Sequence, residues 1–304
     1  MVRKYRTWHL YGPDDELGAA NRVTQATVSA ALATPRRGRV FQLAIPLAST
    51  GPLTGKSGRV NPQHVMLRHG GDIMLADGGP HTVDYTDDVV YMPMQSATQW
   101  DGLCHIFYGG RTYNGRGPES VDGTGARSSS ITNLIDRCVG RGVLLDIPRW
   151  LGVDWLEAGA AIQGSDLAAC AEHEGVDVGP GDFVLLRTGW LARSRQAGTW
   201  EGYLGSSAPG LGVSAADYIC PRGAVAVASD TAVGEAIPFE TADIRLPLHV
   251  LLLVNAGIYL GEMWDLENLA EDCAAEGTYD CLLVAPPLPV TGAVGSPVTP
   301  IAIR

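Results

Sequence analysis

The chain has 304 residues, 45% of them apolar and 18% charged, with a formal net charge of −11. That length and balance suffice for a large buried core and exclude a disordered chain. The acidic excess argues against nucleic-acid binding, which needs clustered Lys and Arg, and the longest apolar stretch, Leu248 to Leu260, holds His249 and Asn255 and is too short to span a bilayer.

In chain order, MVRKYRTWHLYGPDDE is charged and has no apolar core of a secretory signal. Residues 14–34 read as a capped start followed by a helix: Asp14, Asp15 and Glu16 place negative charge where a helix N-terminus favours it, and Thr24 to Leu32 has helical composition. Arg39 to Leu47 alternates as a strand. Residues 48–92 are rich in Gly, Pro and Asp, show little periodicity and contain His64, His69 and His81. Such a segment suggests a substrate-covering loop. Ile131 to Arg137 predicts a short helix, Gly142 to Ile147 a buried strand, Ser165 to Glu174 a helix with Ser165 as N-cap, and Phe183 to Thr188 another buried strand. Trp200 to Gly212 reads as loop, Ser214 to Cys220 as helix and Ala224 to Ser229 as strand. Periodicity does not decide between helix and strand for Leu248 to Val254. Ile258 to Glu262, Leu266 to Ala275 and Tyr279 to Pro286 predict strand, helix and strand. The order shows no repeat, linker or regular βαβ rhythm, which predicts a mixed α/β domain with a barrel-like sheet.

The densest chemistry lies in Gln95-Ser96-Ala97-Thr98-Gln99-Trp100-Asp101-Gly102-Leu103-Cys104-His105. On a strand, residues of one parity share a face. Gln95, Gln99, Asp101 and His105 are all odd-numbered, so an extended run would aim four polar heads at one place. A buried polar row needs partners, a metal or a substrate. The bland alternative is a solvated strand face, which Trp100, Leu103, Cys104, Ile106 and Phe107 argue against. A carboxylate can bind a cation or orient an imidazole, and a His can move protons near neutral pH; the competing reading of Asp101 and His105 is a structural hydrogen bond. Cys104 beside His105 points to the opposite face and is not a Cys–His nucleophile pair. Trp100, Phe107, Tyr108 and Tyr113 form either an aromatic wall for a planar substrate or plain core. Asp230 follows a buried-looking strand and either orients a histidine or caps a turn. No G-x-S-x-G elbow, P-loop, H-E-x-x-H or dinucleotide fingerprint is present. The six cysteines, at 104, 138, 170, 220, 273 and 281, form no C-x-x-C pair and predict reduced thiols in a cytoplasmic protein.

The same segment resembles a degenerate copy of the H-x-G-T-H-x-D-x-P-x-H signature of the cyclase family, which includes bacterial kynurenine formamidase and isatin hydrolase, both metal-dependent amide hydrolases. Aligned on Asp101, Gln95 and Gln99 stand at the two leading histidines, Thr98 at the Thr and His105 at the last His, with Ala97 for the Gly and Leu103 for the Pro. GPDDELGAANRVT, GRGVLLDIP, GDFVLLRTGW and LHVLLLVNAGIYLGEMWDLENLA also look like the longer branch of this family, so the resemblance covers nearly the whole chain. It implies the swivelling β/β/α fold, one cyclase-like domain over 1–304, and an N-terminal helical and irregular segment, about residues 1–92, covering the site. It implies Asp101 as metal ligand and His105 as acid/base, with His249 and Glu262 completing the ligands. The alternatives are a core histidine at 249 and an ion pair between Glu262 and Arg187. Gln99 offers only a carbonyl oxygen, a poor donor for Zn²⁺ but usable for Mn²⁺ or Mg²⁺, so a divalent metal is expected to be Mn²⁺ or Mg²⁺ rather than Zn²⁺, or to be absent if the site has lost it. Gln95, Trp100, His64, Phe107, Tyr108 and Asp230 are the candidate substrate contacts.

The expected function is a hydrolase of this family cleaving an amide, lactam or lactone bond of a small cyclic or aromatic molecule. The competing readings are a metal-free cyclase or dehydratase of natural-product biosynthesis using Asp101 and His105, and a catalytically inactive small-molecule-binding protein. A small-molecule substrate, no nucleic acid, no membrane and a homodimer or homotetramer complete the expectations.

Overall fold

Four apolar runs, Val139–Asp146, Phe183–Arg187, Ala226–Ser229 and Tyr259–Glu262, form adjacent parallel strands in chain order. The strands are almost wholly buried, as parallel strands covered by crossover helices must be. In the computed structural model, which describes residues 3–75 and 82–304, they are the middle of a nine-stranded sheet. Its order is Val40–Gln42, Ile301–Ile303, Asp280–Val284, the four parallel strands, Gln99–Asp101 and Gly295–Pro297. The outer neighbours run antiparallel. The architecture is mixed α/β with this sheet curled into a half-barrel. Among the described residues no helix is long and apolar enough to cross a membrane, and all six cysteines are free.

Between 139 and 262 strand and helix alternate regularly, through helices Gly164–Glu174, Trp190–Ala197 and Ala215–Arg222. The sequence reading found no such rhythm. Long loops separate the short strands, and the last crossover is apolar on all sides. That crossover is Leu248 to Val254, a helix: Pro247–His249 widens into a π-type helix, Val250–Ala256, with every residue buried. Full burial removes the one-sided pattern from which periodicity reads a helix. Two other expectations change. The helix at Gly164–Glu174 is capped by Gln163, not Ser165. Asp15 precedes the short turn Gly18–Arg22, while the first α-helix, Gln25–Ala31, takes Thr24 as its cap.

Residues 48–92, read as irregular, contain a hairpin. Gln63–Arg68 pairs antiparallel with Asp87–Tyr91, and nearly every residue of both strands is exposed. His81 lies outside the described residues.

The N-terminal segment clamps the π-type helix from behind. Trp8 Nε1 donates to the Val254 carbonyl at 2.6 Å, the Thr7 and Ala19 amides donate to Asn255 and Gly257 carbonyls, and Asn255 binds Arg6. Gly18, at φ +57°, is required there: a Cβ would lie 2.5 Å from the Gly257 oxygen.

Candidate active site

Register decides which side chains meet. Gln99 faces Glu262 and Asp101 faces Leu260 across the antiparallel pair. Gln99, Asp101 and Glu262 therefore share one face of the sheet. Trp100 takes the other face, fully buried, with its ring centroid 4.7 Å from that of Trp264 and 6.4 Å from that of Phe183. Gly261 makes room for it, since a Cβ there would fall 2.8 Å from the Trp100 ring. His249 arrives from the helix above, after Leu246 bends the chain at φ 57°.

Asp101, His249 and Glu262 are buried, and one ligand atom from each lies within 4.8 Å of the others. His249 Nε2 is 3.5 Å from Glu262 Oε1 and 3.9 Å from Asp101 Oδ2. Its Nδ1 is 2.5 Å from Glu235 Oε1, and the Glu235 carboxylate also accepts the Leu248 and His249 amides at 3.1 and 3.3 Å. An imidazole bonded to a carboxylate through one nitrogen presents the other to a cation. Gln99 Nε2 donates to Glu262 Oε2 at 2.8 Å and to Asp101 Oδ1 at 3.4 Å, leaving Gln99 Oε1 buried without a partner. His105 Nε2 is 3.8 Å from Asp101 Oδ1, and its side chain is part-exposed.

Burial works against an imidazolium at His249, but the bonds to Glu235 and Glu262 outweigh it and raise its pKa to about 10. Burial, with Asp101 alongside, raises Glu262 to about 7. Buried like charges crowded together are the condition under which a cation fits. Two carboxylates and one imidazole aimed by a third carboxylate suit a divalent ion, whereas Gln99, an expected ligand, turns its Nε2 rather than its carbonyl oxygen to the acids.

The site opens into a cavity of about 280 Å³ lined by Asp101, His105, His249, Glu262 and Glu235 together with apolar side chains such as Ile106, Val233, Ile237, Phe239 and Met263. Six expected substrate contacts do not line it. Trp100 is core. Gln95 is buried against Gly295, because the chain turns at Ala97 (φ 53°) before the strand begins. His64 sits on the exposed hairpin, 2.7 Å from Asp88. Phe107 and Tyr108 face solvent beyond His105. Asp230 accepts the Thr188 amide and hydroxyl at 2.8 and 2.7 Å behind the wall, with burial raising it to about 6. It orients neither histidine. Arg187 pairs with Asp146 and Glu267 rather than Glu262. Sequence reasoning missed Glu235, Arg59 and Arg245, all of which line the cavity. Only Glu235, a lone acid between Gly234 and Ala236, carried a local signal.

The cyclase family model matches residues 41–236. The chain belongs to the cyclase family. A solved structure described as a novel cyclase is 36% identical, with 98% of this chain and 99% of that one aligned at a TM-score of 0.90. Isatin hydrolase A from Ralstonia solanacearum is 18% identical, over 92% and 97% of the two chains, at 0.65. A predicted metal-dependent hydrolase from Bacillus stearothermophilus is 17% identical, over 88% and 98%, at 0.55. These last two show a shared fold. No curated protein sequence matches. The cyclase-family model ends before His249 and Glu262. Cyclase-family relatives are hydrolase or cyclase enzymes, and this chain is an enzyme of that family.

Proposed function

We propose that this cyclase-family enzyme hydrolyses an amide, lactam or lactone bond of a small cyclic or aromatic molecule with a divalent metal. The observation that carries the reading is the buried cluster of Asp101, Glu262 and His249, whose acids have no Lys or Arg salt-bridge partner among the described residues. These three would hold the ion, Mn²⁺ or Mg²⁺ in preference to Zn²⁺ because oxygen donors dominate. Such an ion supplies polarisation of a carbonyl and a lowered pKa for water. Glu235 holds the His249 ring in the orientation that turns Nε2 toward the acids. Gln99 holds the two carboxylates in register with its amide. His105, beside Asp101 and open to the cavity, moves the proton from water to the leaving atom. The apolar wall takes the body of the substrate and limits water.

The test pairs elemental analysis with turnover. Protein purified without chelator is expected to carry about one divalent ion per chain, and Asp101→Asn to lose it. Turnover on a panel of formamides, lactams and lactones is expected to fall roughly 10²-fold or more in His105→Ala with the fold intact. Activity indifferent to metal and chelator would overturn the reading and leave Asp101 and His105 as a metal-free acid/base pair.

A further inference from the structure

We propose that the substrate carries a carboxylate, separate from its reacting carbonyl, that docks on Arg59 and Arg245 at the cavity mouth; this assignment rests on the hydrolase reading above. Arg59 is half-buried and Arg245 exposed, and both line the cavity whose inner end is the acidic cluster. Elsewhere the chain pairs its arginines readily: Arg187 with Asp146 and Glu267, Arg195 with Asp265, Arg304 with Asp272. Arg59 and Arg245 make no side-chain hydrogen bond or salt bridge to any described residue. Lys56, likewise unpaired among the described residues, adds a third positive charge to the same wall.

The placement is built into the loop. Asn61 accepts the Leu53 amide at 2.8 Å and donates to the Gly51 and Leu53 carbonyls at 2.9 and 3.0 Å, which pins the segment from 51 to 61. Trp200 Nε1 donates to the Thr50 carbonyl at 2.9 Å and ties the start of that segment to the loop that carries Tyr203. Arg245 comes from a separate segment, just before the helix that carries His249. In a chain of net charge −11, two unpaired guanidinium groups facing one cavity from two separate segments form a receptor for an anion. A planar guanidinium matches a carboxylate through two parallel N–H···O bonds. A monoanion is favoured over a phosphate dianion because Asp101, Glu235 and Glu262 line the same cavity and repel a second negative charge. The apolar side chains that line the same cavity take the body of the molecule. The substrate class is thus an amphipathic organic acid with an amide or lactone at one end and a free carboxylate at the other.

The experiment compares formanilide with the ortho, meta and para isomers of formamidobenzoate, using the metal-loaded protein. At least one isomer is expected to exceed formanilide in kcat/KM by about tenfold, mainly through KM, the size of a charge-assisted contact. The ratio should fall toward one in Arg59→Gln/Arg245→Gln and in the single exposed variant Arg245→Glu. Calorimetric binding of the same four compounds reads the contact without turnover. If neither these four nor any lactam or lactone of the panel is hydrolysed but a carboxylate isomer binds about tenfold more tightly than formanilide through the two arginines, the hydrolase reading falls and the carboxylate assignment stands. Equal binding of all four overturns the assignment alone. So does a carboxylate preference unchanged in both variants, or phenyl phosphate binding more tightly than benzoate.

Discussion

His249 lies between two kinds of acid. Asp101 and Glu262 face its Nε2, while Glu235 takes its Nδ1 and two backbone amides at the start of the helix. Glu235 therefore sets both the orientation of the ring and the position of the helix that bears it. Its loss is expected to lower metal affinity by about 10–100-fold, the usual effect of removing a carboxylate behind a metal-ligating histidine. Metal titration of Glu235→Ala, followed by calorimetry, checks this. Affinity equal to that of the unaltered protein would remove Glu235 as a positioning residue. At this scale the parity argument carried two residues and no more. Gln99 and Asp101 share a face because they belong to a true strand, Gln99–Asp101. Gln95 lies before the bend at Ala97. His105 reaches the site through the turn in which its amide donates to Gly102, not through strand alternation.

Packing of the elements against one another places further charge in the interior. Asp146, at the end of strand Val139–Asp146, accepts from Arg187 at the end of strand Phe183–Arg187, and its own amide donates to Glu174 on helix Gly164–Glu174. Glu174 Oε2 has no partner, and burial pushes this carboxyl up to about 8, against the lowering effect of the Asp146 amide. Between its ordinary value of 4.5 and about 8, the folded protein keeps a proton that the unfolded chain releases. Stability from this group is full below pH 4.5 and is lost as pH rises through the window. Glu174→Gln is expected to flatten that fall, by on the order of a few kcal/mol at its upper end. Urea midpoints measured from pH 5 to pH 9 check it, and equal slopes in the two proteins would contradict it. Most of these elements were visible as apolar runs. The helix Pro247–Ala256 was not, because burial on all sides leaves no polar stripe to mark its period.

Over the whole molecule, one part stands apart from the large core. The hairpin of Gln63–Arg68 and Asp87–Tyr91 exposes Val65, Leu67, Val89 and Tyr91, whereas Val139–Asp146 is flanked by strands on both sides and covered on both faces. A two-stranded hairpin is at best marginally stable by itself, and local opening follows local burial. In hydrogen exchange of the isolated chain, its amides are expected to exchange orders of magnitude faster than those of Val139–Asp146. Protection equal to that of the central strands would contradict this. The cationic groups at 56, 59 and 245 and the acids at 101, 235 and 262 converge only in the folded molecule, where one cavity is lined by both signs of charge and by apolar side chains.

By itself the sequence determined the family, the apolar runs that became the central strands, and Asp101 and His105 as members of one motif; His249 and Glu262 were implied by the resemblance of the late segment, and the fold brings them beside Asp101. Local pattern suffices for the runs and the motif, since burial leaves a period in the chain and a motif keeps its neighbours within a few residues. Only the tertiary structure decided that Glu235 holds His249, that Gln99 donates to two acids, that Trp100 is core, and that two unpaired arginines share the cavity with the acidic cluster. Those outcomes depend on strand register and on loops that bring residues 59 and 245 to one opening. A one-residue slip of register would have exchanged the two faces of Gln99–Asp101, and no periodicity in a single segment encodes the partner against which that register is set.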